Sequence, residues 1–114
     1  MRKLTAFLLA AALAAVAALA GPALARPQRS VTVGDDYFVR KGTPPRISVR
    51  KGTRVTWRWS GNSLHNVNAR TGPVKFHSGY KRSGTYSKIL RRAGKYVIYC
   101  DIHAPDMKMT IRVG

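Results

Sequence analysis

Glutamate is absent from this 114-residue chain, and aspartate supplies all four acidic residues against 21 lysine and arginine residues. The formal net charge is therefore +17. A field of this sign attracts anionic partners, such as an acidic protein, a phospholipid surface, a cell-wall polyanion or a nucleic acid. The basic residues are spread along the chain rather than gathered in one tract, so a merely solvated, highly charged surface is the alternative interpretation.

Long apolar runs are absent beyond the N-terminus. The first 25 residues, MRKLTAFLLAAALAAVAALAGPALA, have a basic start, an apolar run and a small-residue ending at Ala25. This pattern is typical of a secretory signal peptide, and the run is slightly short for a membrane span. We therefore predict cleavage after Ala25 and a protein that works in the periplasm or outside the cell. That location makes nucleic acid the weakest anionic partner.

Residues 26–114 are enough for one small domain with a single core. Without Arg2 and Lys3 this domain keeps 19 basic and 4 acidic residues, a net charge of +15. Cysteine occurs once, at Cys100, so no disulfide can form within the chain. A free thiol in an oxidising compartment needs burial or metal ligation to protect it.

No helical apolar period is sustained after residue 25, and turn signals recur every eight to twelve residues. This pattern predicts an all-β sandwich of seven or eight short strands. We expect residues 60–73 to form a long irregular connection, and strands at 30–33, 37–39, 46–50, 54–59, 74–78, 85–90, 96–100 and 107–113. In the last two of these strands, apolar and polar residues alternate. This alternation puts Cys100 and Met107 on apolar faces, on either side of a short loop.

Soft and borderline metal donors concentrate in the segment YCDIHAPDMKM, residues 99–109. Cys100 and His103 are close enough in a tight loop to bind one ion, and Met107 at the return end can add a thioether. A third strong ligand must come from elsewhere. His65 is the best candidate because it follows the strongest core strand, where loops at one end of a sandwich converge.

One cysteine, two histidines and a weak soft donor form the ligand set of a mononuclear copper site that cycles between Cu(I) and Cu(II). Zinc is the competing metal, but zinc sites more often use paired cysteines, and a thioether binds zinc poorly. Neither an activated water position nor an orienting carboxylate is evident in the sequence. We therefore expect no enzymatic activity.

Two further donors are placed outside the predicted site. Met109 should already lie in the core, although an uncertain strand boundary leaves it as a possible weak ligand instead of Met107. His77 is interpreted as a polar residue at a strand end, with a peripheral copper site as the alternative.

The segments ISVRKGTRVTWRW, LHNV, FHSG, AGKYVIYCDIH and MKMTIRV together resemble the plastocyanin/azurin family of small blue-copper proteins, the cupredoxins. The resemblance covers nearly all of residues 26–114. It implies a cupredoxin-like Greek-key β-sandwich in which His65, Cys100 and His103 form a trigonal copper set and Met107 is a long axial ligand. It also implies that Asn66 helps to hold the two ligand loops together.

We predict a soluble one-electron carrier that works by outer-sphere transfer, because three strong ligands and one weak thioether keep nearly the same geometry in both oxidation states. We also expect a monomer. By the same resemblance, the ring edge of His103 would reach the surface among Ala104, Pro105 and Pro73, and basic residues around it would steer a redox partner with an acidic docking surface. Two other functions stay open: copper binding and delivery outside the cytoplasm, and attachment of a cationic sandwich to an anionic membrane or cell-wall surface.

Overall fold

The computed structural model describes residues 25–114, and in this range the chain is built from β-strands. The eight strands are β1 (Gln28–Gly34), β2 (Tyr37–Phe38), β3 (Arg46–Val49), β4 (Thr53–Trp59), β5 (Asn68–Thr71), β6 (Thr85–Leu90), β7 (Gly94–Tyr99) and β8 (Lys108–Val113). The predicted signal peptide lies outside the described residues, apart from Ala25, and stays a prediction. Within residues 25–114, no helix is long and apolar enough to cross a membrane.

The strands form two four-stranded sheets, ordered β2-β1-β4-β6 and β3-β8-β7-β5. β1 pairs with β4 in parallel, and β3 pairs with β8 in parallel, whereas the other neighbours are antiparallel. Consecutive strands such as β3 and β4 therefore lie in different sheets, so the chain crosses between the two layers. The predicted all-β sandwich of seven or eight strands is confirmed.

Alternation of apolar and polar residues sets which face of each strand is buried. In β4, Val55, Trp57 and Trp59 point into the core while the residues between them face outward. The predicted inward faces of β7 and β8 are confirmed, since their apolar residues are almost fully buried: Tyr96, Ile98, Met109, Ile111 and Val113. These side chains meet between the two sheets and form one core.

The predictions for residues 60–78 are partly wrong. Strand β5 lies inside the expected irregular connection, and residues 74–78 form only an isolated bridge, in which His77 pairs with Asn68. Phe76 explains the difference, because its buried ring packs 5.9 Å from the ring of Trp57 and its segment follows the core instead of a ladder. In β5 only Ala69 is buried, so the strand depends on pairing with β7 rather than on a hydrophobic pattern.

Three connections meet at one end of the sandwich. The first joins β4 to β5 and carries His65, the second joins β7 to β8 and carries Cys100 and His103, and the third joins β1 to β2. The first and third are tied directly, because the backbone amides of Asn62 and Ser63 donate to the carboxylate of Asp35 at 3.0 and 2.9 Å. Side chains that are far apart in sequence are therefore brought into one small region.

Candidate metal centre

His65 lies in the connection between β4 and β5, and its side chain is completely buried. Its backbone amide donates to the carbonyl of Lys81, and the amide of Lys81 donates back, both at 2.9 Å. The indole Nε1 of buried Trp59 also donates to the carbonyl of His65 at 3.3 Å. These three hydrogen bonds fix the position of the imidazole relative to the core.

Cys100 immediately follows β7 and is fully buried, and His103 lies in the loop to β8. The loop is tight: the amide of His103 donates to the carbonyl of Cys100 at 3.2 Å, and the amide of Met107 donates to the carbonyl of His103 at 3.1 Å. The amide of Cys100 donates to the carbonyl of Met107 at 3.1 Å and closes the loop. Both donor side chains therefore turn inward, as the sequence predicts.

The three side chains converge on one point. The Sγ atom of Cys100 lies 3.9 Å from Nδ1 of His65 and 3.5 Å from Nδ1 of His103. All three ligand atoms lie within 4.8 Å of one another, and the ring centroids of the histidines are 5.0 Å apart. One ion can therefore contact all three donors. A thiol with two imidazoles suits copper, so the group could hold one copper ion.

The two methionines differ in their surroundings. Met107 is buried with its backbone joined to Cys100, whereas Met109 is one ladder step further into the core, where it pairs with Ile98. These positions agree with Met109 as a core residue and with Met107 as the thioether nearer the site. The role of Met107 as axial ligand stays a prediction. His77 is exposed, and its Nδ1 lies 3.1 Å from the carbonyl oxygen of Ser78. It does not belong to the donor cluster.

Asn66 and Asp101 connect the two ligand loops. Nδ2 of buried Asn66 donates to Oδ2 of Asp101 at 2.9 Å, and the amide of Asp101 donates to Oδ1 of Asn66 at 2.7 Å. The Asp101 carboxylate also accepts hydrogen bonds from Asn68 and Arg70. Burial by itself raises the pKa of Asp101, but the hydrogen bonds from Asn66, Arg70 and Asn68 outweigh it and hold that pKa below its usual range. The structure thus contains the link that the resemblance implies.

Two carboxylates that the sequence did not reveal contact the histidines. Oδ1 of Asp35 lies 3.1 Å from Nε2 of His65, and Oδ1 of Asp36 lies 3.0 Å from Nε2 of His103. The expectation of no orienting carboxylate is therefore wrong. Because Asp35 is 30 residues from His65, only the topology brings the pair together. The sequence offered one signal for these contacts: Asp35 and Asp36, two of the chain's four acidic residues, are neighbours in the chain.

Asp35 is held in its ionised form. Hydrogen bonds from the backbone amides of Asn62 and Ser63, and then the contact with His65, lower the pKa of Asp35 far below its usual value. The carboxylate that faces His65 therefore remains an acceptor at neutral pH.

His103 reaches the surface, with 28% of its side chain exposed. Ala104 and Pro105 flank it along the chain, but the expected contact with Pro73 is wrong. Pro73 follows β5, which runs antiparallel to β7 and away from Cys100. It lies beside Gly94 at the start of β7, where it would overlap a Cβ atom at Gly94.

No protein-family model matches the chain, and no curated protein matches its sequence. Among solved structures, a reduced tryptophan-to-tyrosine mutant of amicyanin superposes with a TM-score of 0.65 at 22% identity, covering 81% of this chain and 87% of that one. The Cu(I) form of a methionine-to-alanine mutant of amicyanin gives a TM-score of 0.65 at 24% identity, with the same coverage.

This chain has the cupredoxin fold. The structure therefore confirms the fold that the sequence motifs imply. A copper-containing nitrite reductase from Thermus scotoductus also matches, with a TM-score of 0.65 at 23% identity. That match covers 82% of this chain but only 24% of the reductase. The likeness is one of fold, and most of the enzyme has no counterpart in this cupredoxin-like domain.

The Asn66–Asp101 link predicts a stability difference between two variants. Asn66→Ala removes a buried amide and leaves the amide of Asp101 without its acceptor, so we expect a loss of about 1–3 kcal/mol in the free energy of unfolding. Arg70→Ala removes a cation that is 42% exposed from the same carboxylate, and we expect a loss of about 0.2–1 kcal/mol. Urea denaturation of both proteins measures this. Equal losses would show that the two loops are not joined through Asn66.

Proposed function

We propose that this protein is a type 1 (blue) copper protein that carries single electrons by cycling its copper between Cu(I) and Cu(II). The observation that supports the proposal is the convergence of the Cys100 thiol with Nδ1 of His65 and of His103 at one end of a cupredoxin fold. The cysteine would supply a thiolate, the histidines would supply neutral imidazoles, and Met107 would add a weak axial thioether.

The framework around these donors suits electron transfer. Cys100 and His65 are fully buried, and both ligand loops are fixed by backbone hydrogen bonds. A ligand set that cannot rearrange keeps nearly the same geometry in both oxidation states, so little structural change accompanies each transfer. The bound copper supplies the redox couple, and the polypeptide supplies a rigid, dry environment.

The exposed surface next to the site suits docking of a partner. Ile102 lies between Cys100 and His103 in the loop. Tyr80 precedes Lys81, whose backbone forms an isolated β-bridge with His65. These are the exposed large apolar side chains of residues 25–114, at 48% and 55% exposure. Partly exposed His103 lies in the same loop as Ile102. We propose that a redox protein docks here and that electrons leave through the edge of the His103 ring.

The proposed partner has an acidic surface, because the domain after Ala25 has a net charge of +15. The proposed attraction comes from the charge of the whole domain and acts at long range, because Asp35, Asp36 and Asp101 lie at the metal end beside Arg70 and Lys81. Salt would therefore weaken the encounter. We also propose that the protein acts outside the cytoplasm, where the predicted leader would direct it.

Copper binding by purified residues 26–114 tests the proposal. We expect one Cu(II) per chain and an intense visible absorption band, because a thiolate bound to Cu(II) transfers charge to the metal. In Cys100→Ser the band should disappear, whereas in His77→Ala it should be unchanged because His77 lies outside the donor cluster. A colourless protein that prefers zinc would contradict the proposal.

Repeated reduction and reoxidation in the presence of a copper chelator separates electron transfer from copper delivery. A carrier should retain its metal through the cycles, whereas a delivery protein should lose Cu(I) to the chelator. Loss of copper within a few cycles would therefore favour delivery by the same four residues.

The two methionines provide a matched pair for testing the axial ligand. Met107→Leu should keep the copper but raise the reduction potential, because the loss of a donor destabilises Cu(II) more than Cu(I). Met109→Leu makes the same substitution at a core position and should leave the potential unchanged. We expect it to lower the free energy of unfolding by less than about 1.5 kcal/mol. Cyclic voltammetry measures both. A larger shift in Met109→Leu would transfer the axial role to Met109.

A further inference from the structure

Acidic residues are concentrated at the metal end of this basic protein. Asp101 and Asp106 lie in the loop between β7 and β8, while Asp35 and Asp36 form the turn between β1 and β2. The two aspartates of the turn each face a different histidine of the candidate site. Two adjacent residues thus contact both imidazoles from the side opposite Cys100.

The facing carboxylates indicate which nitrogen of each neutral ring carries the proton. An ionised carboxylate only accepts hydrogen bonds, so Nε2 of His65 must donate to Asp35 and Nε2 of His103 must donate to Asp36. A neutral imidazole protonated on Nε2 has its lone pair on Nδ1. In both histidines Nδ1 is the atom that faces Cys100 Sγ, so both rings are oriented to bind a metal ion.

The turn is fixed in position independently of any metal. Asp35 accepts backbone hydrogen bonds from the loop that carries His65, and a Cβ atom at Gly61 in that loop would overlap its carboxylate. Asp36 adopts φ +72°, a left-handed conformation that aspartate, asparagine and glycine tolerate better than other residues. This conformation directs consecutive side chains to different histidines.

We propose that Asp35 and Asp36 are positioning residues of the copper site, which lock His65 and His103 in the Nε2-protonated form with Nδ1 directed at the metal. The inference rests on the proposed function for the identity of the metal. A hydrogen-bonded carboxylate makes each imidazole a more basic ligand, which favours Cu(II) over Cu(I). Asp36 also covers the outer nitrogen of His103, the candidate ligand histidine that reaches solvent.

Variants of Asp36 give the cleanest test because this residue is two-thirds exposed, at 66% of its side chain, and its loss leaves the core intact. Asp36→Gly removes the carboxylate and keeps the positive φ angle, and Asp36→Asn keeps a hydrogen-bond acceptor but removes the charge. Asp106→Asn is the matched control, since it removes the same charge from an exposed aspartate in the ligand loop.

Nitrogen-15 NMR of the metal-free proteins reads the ring protonation directly. In the wild type and in Asp36→Asn we expect His103 to be the Nε2-protonated tautomer, whereas in Asp36→Gly it should populate both tautomers. His65 should stay locked in all of these proteins, because Asp35 is unchanged. A single His103 tautomer in Asp36→Gly would overturn the proposal, even if the protein bound no copper.

Copper affinity and reduction potential give the second measurement. Asp36→Gly should bind copper about 10–100-fold more weakly, as is typical when the hydrogen-bond partner of a ligand histidine is lost. Asp35→Asn and Asp36→Asn should each raise the potential more than Asp106→Asn does. Equal effects of all three substitutions would show that only the general field sets the potential and would reject the effect of the two carboxylates on ligand basicity. Failure of the wild type to bind copper would reject the proposed function alone.

Discussion

The reciprocal hydrogen bonds between Asn66 and Asp101 are the interaction on which the candidate site depends. They join a loop that follows β4 in one sheet to a loop that follows β7 in the other, so His65 and Cys100 keep a fixed separation. Backbone pairing of Asn68 with Tyr99 already brings the start of β5 next to the end of β7, and the Asn66–Asp101 bonds add a second link beside Cys100. The sandwich core places the loops at the same end, and these bonds then set the distance on which metal binding depends.

The acidic residues lie where they contact the ligand loops and the candidate ligand histidines. Basic residues are spread along the chain, whereas Asp35 and Asp36 each contact a candidate ligand histidine and Asp101 bonds to Asn66 between the two ligand loops. Each of these carboxylates is an acceptor for hydrogen bonds that orient a side chain or a loop. Their position explains how a strongly cationic domain can provide an anionic environment for a bound cation.

Local patterns in the sequence predicted much of the fold and of the donor set. Cys100 and His103 are three residues apart, and the alternation of β7 and β8 is visible in the printed chain, so these features required no knowledge of topology. His65 was inferred from its place after a core strand. By contrast, β5, the position of Pro73 and the contacts of Asp35 and Asp36 depend on which strands pair, and no local pattern of apolar residues encodes that pairing.

X-ray absorption spectroscopy of the copper-loaded protein in both oxidation states tests whether His65, Cys100 and His103 hold the metal in a fixed geometry. We expect one short copper–sulfur distance and two copper–nitrogen distances that change little between Cu(II) and Cu(I), because the loops hold the donors rigidly. A shell of nitrogen and oxygen alone, or the loss of a histidine ligand on reduction, would contradict the assignment of His65, Cys100 and His103 as a rigid electron-transfer site.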